Sequence, residues 1–224
     1  MSNIVIPELQ PATQVNNIFC IGRNYQKHVE EMGGETPDSP LVFCKPKNTI
    51  IFDGGLILLP PESDEVHHEV ELVAAIGKEG KRINREEAQD YIMGYGLGID
   101  VTARDLQREA KKNGNPWTIA KGFDTFAPIS RFYPPEEFDD INDVEIKLEV
   151  NEEVRQHGNT SDMIFSVDKL IAYLSTMFTL SPGDLIFTGT PEGVSKLEDG
   201  DMIRATLGDN QIDLNVSAIH EPSF

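Results

Sequence analysis

The stretch LVFCKPKNTIIFDGGLILL, residues 41–59, decides the fold class. Its apolar residues fall in brief runs at 41–45, 49–52 and 56–59, and Pro46, Gly54 and Gly55 separate them. Proline cannot donate to a ladder and glycine weakens a strand interior, so each run reads as one short strand. An open parallel sheet is built from longer continuous apolar strands. Runs this short and this closely spaced predict a curled sheet instead.

Working outward, the pattern stays rich in strands. Upstream lie a strand over 17–22 and a helix that Asn24 is placed to cap, ending at Gly33-Gly34. Downstream, from His67, the residues alternate, with Glu69 and Glu71 on one face and Val70 and Leu72 on the other, until Gly77. Asn84 and Glu87 have capping-box spacing for a short helix, and a strand follows from residue 92 or 93 to Asp100. Thr102 is placed to cap a helix of about ten residues that closes with Lys111-Lys112 and Gly114. The longest helix is expected over 167–179 under a Ser166 cap, and further strands over 144–150, 185–190, 202–207 and 211–219. Pro134-Pro135 is the best candidate for a break, yet both flanks look equally globular. The reading is a β-rich α+β protein: an arm over 1–16, then one domain over 17–224.

Composition bounds the partners. Among 224 residues, 19 Lys and Arg stand against 38 Asp and Glu, a formal charge of −19 with a pI near 4.5. Nucleic acid and anionic lipid both require clustered basic residues, so neither is expected as a partner. Hydrophobic residues at 39% and aromatics at 8% are enough for a core, which argues against disorder. Cys20 and Cys44 lie in apolar runs without a CxxC pair and read as reduced core residues. MSNIVIPELQPATQ has neither a basic n-region nor an arginine-rich amphipathic pattern, and no long apolar run occurs, so a soluble cytoplasmic protein is expected.

Several chemistries lack their motif: there is no GxxxxGK[ST], no HExxH and no GxSxG. Gly94, Gly96 and Gly98 have the wrong spacing for a dinucleotide loop and fit close backbone approach within a strand. Glu69, Glu71 and Asp100 are the stronger candidates. A hard divalent ion prefers oxygen ligands, and three carboxylates leave positions for water and a chelating substrate. With acids at 38 of 224 positions, about six acid-x-acid spacings arise by chance, so the apolar setting of this pair carries its weight. His28 and Glu31, three apart on a helix, suit a carboxylate-oriented general base. His67 and His68 flank the glutamates and fit supporting roles as well as ligation. Lys121 directly follows the apolar run Trp117–Ala120, where a lysine can neutralise an enolate or carboxylate. Thr188-Gly189-Thr190-Pro191 reads as a turn able to present backbone NH and hydroxyl groups.

Taken together, the segments GRNYQKHVEEM (22–32), FCKP around Lys45, HHEVEL (67–72), GIDVTARDLQ (98–107), PWTIAKGFD (116–124) and TGTPEGV (188–194) resemble the fumarylacetoacetate hydrolase family, in its short acylpyruvase and oxaloacetate decarboxylase branch. The resemblance implies a mixed β-sandwich roll with short helices, usually a homodimer. It implies that Glu69, Glu71 and Asp100 bind Mg²⁺ or Mn²⁺, that His28 and Glu31 form a dyad on a mobile lid helix, and that Lys121 contacts a bound ketoacid. Arg23, Lys45, Arg104, Gln107 and Thr190 fall in motifs that line the family's pocket. The implied reaction is C–C cleavage beside a carbonyl in a small 2-oxo acid through a metal-bound pyruvate enolate. Tautomerisation or hydroxymuconate-type isomerisation would use the same chelate, and the His28–Glu31 pair favours hydrolysis or decarboxylation over these. The alternative from another class, an acidic calcium- or partner-binding protein, leaves that pair and Lys121 without a role.

Overall fold

The computed structural model describes residues 13–208 and 212–220. In chain order the strands are β1 (Ile18–Gly22), β2 (Leu41–Lys45), β3 (Ile50–Phe52), β4 (Leu56–Leu59), β5 (Val66–His67), β6 (Val70–Ile76), β7 (Ile92–Ile99), β8 (Thr102–Ala103), β9 (Ala127–Ile129), β10 (Glu145–Val150), β11 (Glu153–Asn159), β12 (Leu185–Phe187), β13 (Met202–Leu207) and β14 (Ile212–His220). The helices are α1 (Gln26–Glu31), α2 (Arg104–Asn113), α3 (Thr118–Lys121) and α4 (Val167–Met177).

Seven strands form one mixed sheet in the order β2-β1-β12-β6-β7-β9-β3, and five form another in the order β11-β10-β13-β14-β4. The three short runs of residues 41–59 are indeed separate strands. They reach opposite edges of the first sheet and an edge of the second, which is why the sheets must curl around one another. The main core fills the space between, from Val70, Leu72, Ala74 and Ile76 of β6 to Ile146, Leu148, Ala205 and Leu214 of the second sheet. A second cluster, with Val73, Ala75, Leu185 and Phe187, covers the other face of the first sheet. β6 is therefore buried on both faces. The glycines of β7 fit that crowding: a Cβ at Gly98 would stand 2.4 Å from the Phe187 ring.

Several local expectations give way to better partners. Asn24 does not cap α1, whose N-cap is Tyr25. Its buried amide instead bonds Phe165 and Thr188, because a fully buried asparagine must satisfy both ends. Thr102 donates to the Asp100 carbonyl, and α2 begins after Ala103. Ser166 holds the N-cap position of α4 but gives its hydroxyl to Asp168. Residues 85–91 make a 3-10 helix in which the Asn84 side chain bonds the Glu87 side chain rather than capping a backbone amide. Cys44 is exposed rather than in the core, since β2 is an edge strand; Cys20 is buried. The last strand is Ile212–His220, with Gln211 outside the described residues, as are residues 1–12 of the arm. Pro134-Pro135 leads into a 3-10 turn without dividing the sheets. Among the described residues no helix is long and apolar enough to cross a membrane.

Candidate metal centre and active site

The ladder between β6 and β7 ends where the acids converge. Val70 pairs with Ile99 and Glu71 with Gly98, and one residue beyond each strand the Asp100 amide donates to the Glu69 carbonyl at 2.8 Å. Glu69 is thus just outside β6 rather than within a strand running from His67, yet the two-residue spacing still aims it with Glu71. One oxygen from each of Glu69, Glu71 and Asp100 lies within 4.8 Å of the others, and all three residues are buried.

Three cations answer them. Lys121 Nζ donates to Glu69 Oε2 at 2.9 Å and to Asp100 Oδ2 at 2.5 Å. Arg104 Nη2 bonds Glu69 Oε1, and its Nη1 donates to Gln107 Oε1 at 2.7 Å. Lys45 Nζ sits 2.8 Å from Asp100 Oδ1. Its three hydrogens, however, go to the carbonyls of Val101, Lys121 and Phe126, so that contact is ionic and Oδ1 accepts no hydrogen bond. Burial opposes the charges on Glu69, Lys121 and Lys45; it prevails at Lys45, whose ammonium is lowered, while pairing overcomes it at the other two. Burial raises the Glu69 carboxyl, but Lys121 and Arg104 overcome it and hold the group well below the usual range. Burial lowers the Lys121 ammonium, but Asp100 and Glu69 more than restore it.

Glu71 has no such cation. Burial, Asp100 and Glu69 together push its carboxyl well above the ordinary range. Its Oε2 accepts from the Gly189 amide at 2.7 Å. Gly189 has φ +100°, and a Cβ there would lie 2.6 Å from Asn24 Cβ, so this turn requires glycine. The strand expected over 185–190 accordingly stops at Phe187, freeing residues 188–190 to turn toward the acids.

On α1, His28 Nδ1 lies 3.1 Å from Glu31 Oε2, and Glu31 Oε1 accepts from the Gly193 amide at 3.0 Å. His28, Met32, Arg23, Phe43, Glu69, Glu71, Arg104, Gln107, Lys111, Trp117, Lys121 and Thr190 line one cleft whose interior space is about 30 Å³, room for about one water. Lys45 and Asp100 lie behind that lining, and Glu31 stands behind His28. Lys121 is 2% exposed whereas Ile119, two residues earlier on α3, is 72% exposed. The carboxylates have drawn the charge inward and left the apolar side chain in water.

Sequence reasoning did not single out Lys111 or Gln156, and it met Trp117 only as part of an apolar run. Lys111 read as an ordinary helix-end lysine, but its amine lies 5.1 Å from the Trp117 ring centroid in the cleft wall. Gln156 belongs to β11, whose sequence EVRQHGN lacks apolar alternation. Its fully buried amide bonds His68, Val70, Thr190 and Pro191. His68 also meets Ser195 Oγ at 2.8 Å, so both its ring nitrogens are engaged within the protein and it serves as a strut rather than a ligand; burial lowers its pKa to about 4.

The donor set fits a hard divalent cation: three convergent oxygens, Asp100 Oδ1 without a hydrogen bond, and Glu71 without a counter-cation. A curled pair of sheets that focuses acids, buried cations and a histidine–carboxylate pair on one cleft defines an enzyme site whose acidic group could hold a divalent ion. Residues 17–215 match the fumarylacetoacetate (FAA) hydrolase C-terminal family, and the chain belongs to that family. It is 44% identical over 203 residues to the mitochondrial oxaloacetate decarboxylase of Dictyostelium discoideum, covering 90% of this chain and 93% of that one. It is 46% identical over 194 residues to the mitochondrial oxaloacetate tautomerase FAHD1 of Arabidopsis thaliana, covering 87% of each. Among solved structures, fumarylpyruvate hydrolase from Pseudomonas aeruginosa, in complex with Mn²⁺ and pyruvate, superposes with a TM-score of 0.92 at 36% identity, covering 99% of this chain and 97% of that one.

Proposed function

We propose that this enzyme cleaves the C–C bond beside a carbonyl in small 2-oxo acids, by acylpyruvate hydrolysis, oxaloacetate decarboxylation or both, using Mg²⁺ or Mn²⁺ held by Glu69, Glu71 and Asp100. The observation that carries this reading is the convergence of those buried carboxylates with Lys121, Arg104 and the His28–Glu31 pair on one cleft. When bound, the cation supplies a Lewis acid for the carboxylate and adjacent keto oxygen of a pyruvoyl unit.

The chain's own groups do the rest. Arg104 Nε is buried without a partner, and with Gln107 and Thr190 it offers donors to the substrate carboxylate. Lys121 stays protonated and opposes the negative charge that grows on the keto oxygen. Glu31 accepts from His28 Nδ1–H and leaves Nε2 to take a proton from water. The water oxygen bonds to the distal carbonyl carbon, and the C–C bond breaks with its electron pair passing to the pyruvoyl methylene. That carbon takes a proton and becomes the methyl of pyruvate, while the distal carbonyl leaves as a carboxylic acid. With oxaloacetate no water is consumed: CO₂ departs and the same carbon is protonated. The protein works as a homodimer of single-domain subunits in this proposal, which sedimentation of the purified chain tests directly.

A second reading uses proton transfer alone, interconverting the keto and enol forms of oxaloacetate, and is supported by relatives named as oxaloacetate tautomerases at 44–46% identity. Consumption of acetylpyruvate and of oxaloacetate is to be followed with magnesium, with chelator, and in His28→Ala. Turnover by the wild type only with the ion, and a loss in His28→Ala of about 10²-fold or more on acetylpyruvate, supports hydrolysis. Equal losses on hydrolysis and tautomerisation would remove the special role of the pair in cleavage, and no metal-dependent turnover of either compound would end the C–C cleavage reading.

A further inference from the structure

Asn24 is fully buried, and its side chain joins two distant segments. Oδ1 accepts from the Phe165 amide at 2.7 Å, while Nδ2 donates to the Phe165 carbonyl at 2.9 Å and to the Thr188 carbonyl at 2.6 Å. Because a backbone NH can only donate and a carbonyl can only accept, these contacts fix which end of the side chain is which. The Thr188 carbonyl and the Gly189 amide belong to one peptide group, and the two ends of a trans peptide point in opposite directions. Gly189 N–H donates to Glu71 Oε2 at 2.7 Å. Asn24 therefore holds one end of a rigid plate whose other end faces Glu71. The donors run one way, from side-chain amide to peptide to carboxylate, and each hydrogen bond polarises the next.

The turn does not hold that plate by itself. The Thr188 amide and hydroxyl both bond the Leu72 carbonyl, at 3.1 and 2.9 Å, which ties the preceding peptide to β6 and leaves the next one free to rotate. Gly189, at φ +100°, has no Cβ to resist the rotation. Glu71 depends on the outcome, because Glu69 and Asp100 are aimed by buried cations and Glu71 is not. We infer that Asn24 is a positioning residue of the ion centre: by holding the 188–189 peptide it fixes the donor that orients Glu71, and so presets that carboxylate for a divalent ion. This inference rests on the divalent-ion reading above and reaches past the cleft, which Asn24 does not line. Its bonds to Phe165 serve stability; only the bond to Thr188 leads to the acids.

Ion binding without substrate separates positioning from mere stability. Dissociation constants for Mn²⁺ are to be measured calorimetrically in the wild type, in Asn24→Ala and in Ser175→Ala, which removes a buried hydroxyl that serves the Ile83 amide outside the cleft. Both variants lower the urea midpoint, but Asn24→Ala weakens Mn²⁺ about tenfold or more, the loss expected when a partner that orients a ligand is removed, and Ser175→Ala keeps the wild-type affinity. Asn24→Asp has the same shape and no hydrogen to give Thr188. Its added negative charge alone would tighten a cation, so weaker binding there isolates the lost donor. Wild-type affinity in Asn24→Ala, equal or tighter binding in Asn24→Asp, or a matching loss in Ser175→Ala would overturn the inference and leave the ion reading standing. Failure of the wild type to bind Mn²⁺ would sink both. A further readout needs no variant to fold: in isotope-labelled wild type, the Asn24 side-chain amide resonances shift with Mg²⁺ occupancy, and resonances that stay fixed while Mg²⁺ binds would refute the relay.

Discussion

Gln156 Nε2 donates to Thr190 Oγ1 across 2.8 Å. The same amide gives its second hydrogen to the Pro191 carbonyl at 2.9 Å, while its oxygen accepts from the Val70 amide at 3.0 Å and meets His68 Nδ1 at 2.8 Å. A backbone NH can only donate and a carbonyl can only accept, so these four contacts fix which end of the amide is which. Thr190 therefore accepts from within the protein, and its own hydroxyl proton is directed to the cleft. Thr190→Val removes that donor and is expected to raise KM for a 2-oxo acid about tenfold with a smaller change in kcat, while Thr190→Ser keeps it. Gln156→Glu turns the Thr190 proton inward, so Thr190→Val adds little in that background. Independent, additive losses in the double variant would contradict this geometry.

Lys45 supports the centre from below, with its side chain fully buried and all three hydrogens bound to carbonyls. Lys45→Met strips those carbonyls and leaves Asp100 facing one cation fewer. The expected cost is about 3–5 kcal/mol, the range for breaking a buried pair from one side. Urea titration reads this as a lower midpoint with an unchanged slope; an unchanged midpoint would refute the supporting role.

Metal binding is measurable without any substrate. At an ion concentration of 100 times Kd, linkage gives about 2.7 kcal/mol, or roughly 5–10 °C in Tm for a chain of this size. Magnesium or manganese should produce that rise in the wild type, excess EDTA should reverse it, and Glu71→Ala should abolish it. A shift that survives Glu71→Ala places the ion elsewhere.

What was legible in the sequence follows from where the signal is local. The two-residue spacing of Glu69 and Glu71 survives the strand break at His68 because parity depends only on the backbone, and Asp100 directly follows β7, one residue past the actual end of the expected strand. The two expected caps failed for different reasons: Asn24 bonds the distant Phe165 and Thr188 carbonyls, which no local pattern encodes, whereas Thr102 turns back to the Asp100 carbonyl two residues upstream. Gln156 was hidden because β11 is polar and lies at the edge of its sheet, so its one buried side chain leaves no periodic trace. Cys44 misled in the opposite way, as an apolar neighbourhood does not reveal that a strand lies at a sheet edge.

The pairing of Glu69 and Asp100 with buried cations bears on how the protein is made. Lys121 bridges Glu69 and Asp100, and Glu71 has a raised affinity for a proton, so an ammonium and a hydrogen ion between them keep the place of a divalent cation. If the proposed ion binds here, the sheets need not wait for it to close, and loading is an exchange of protons and contacts inside a finished fold rather than a folding step.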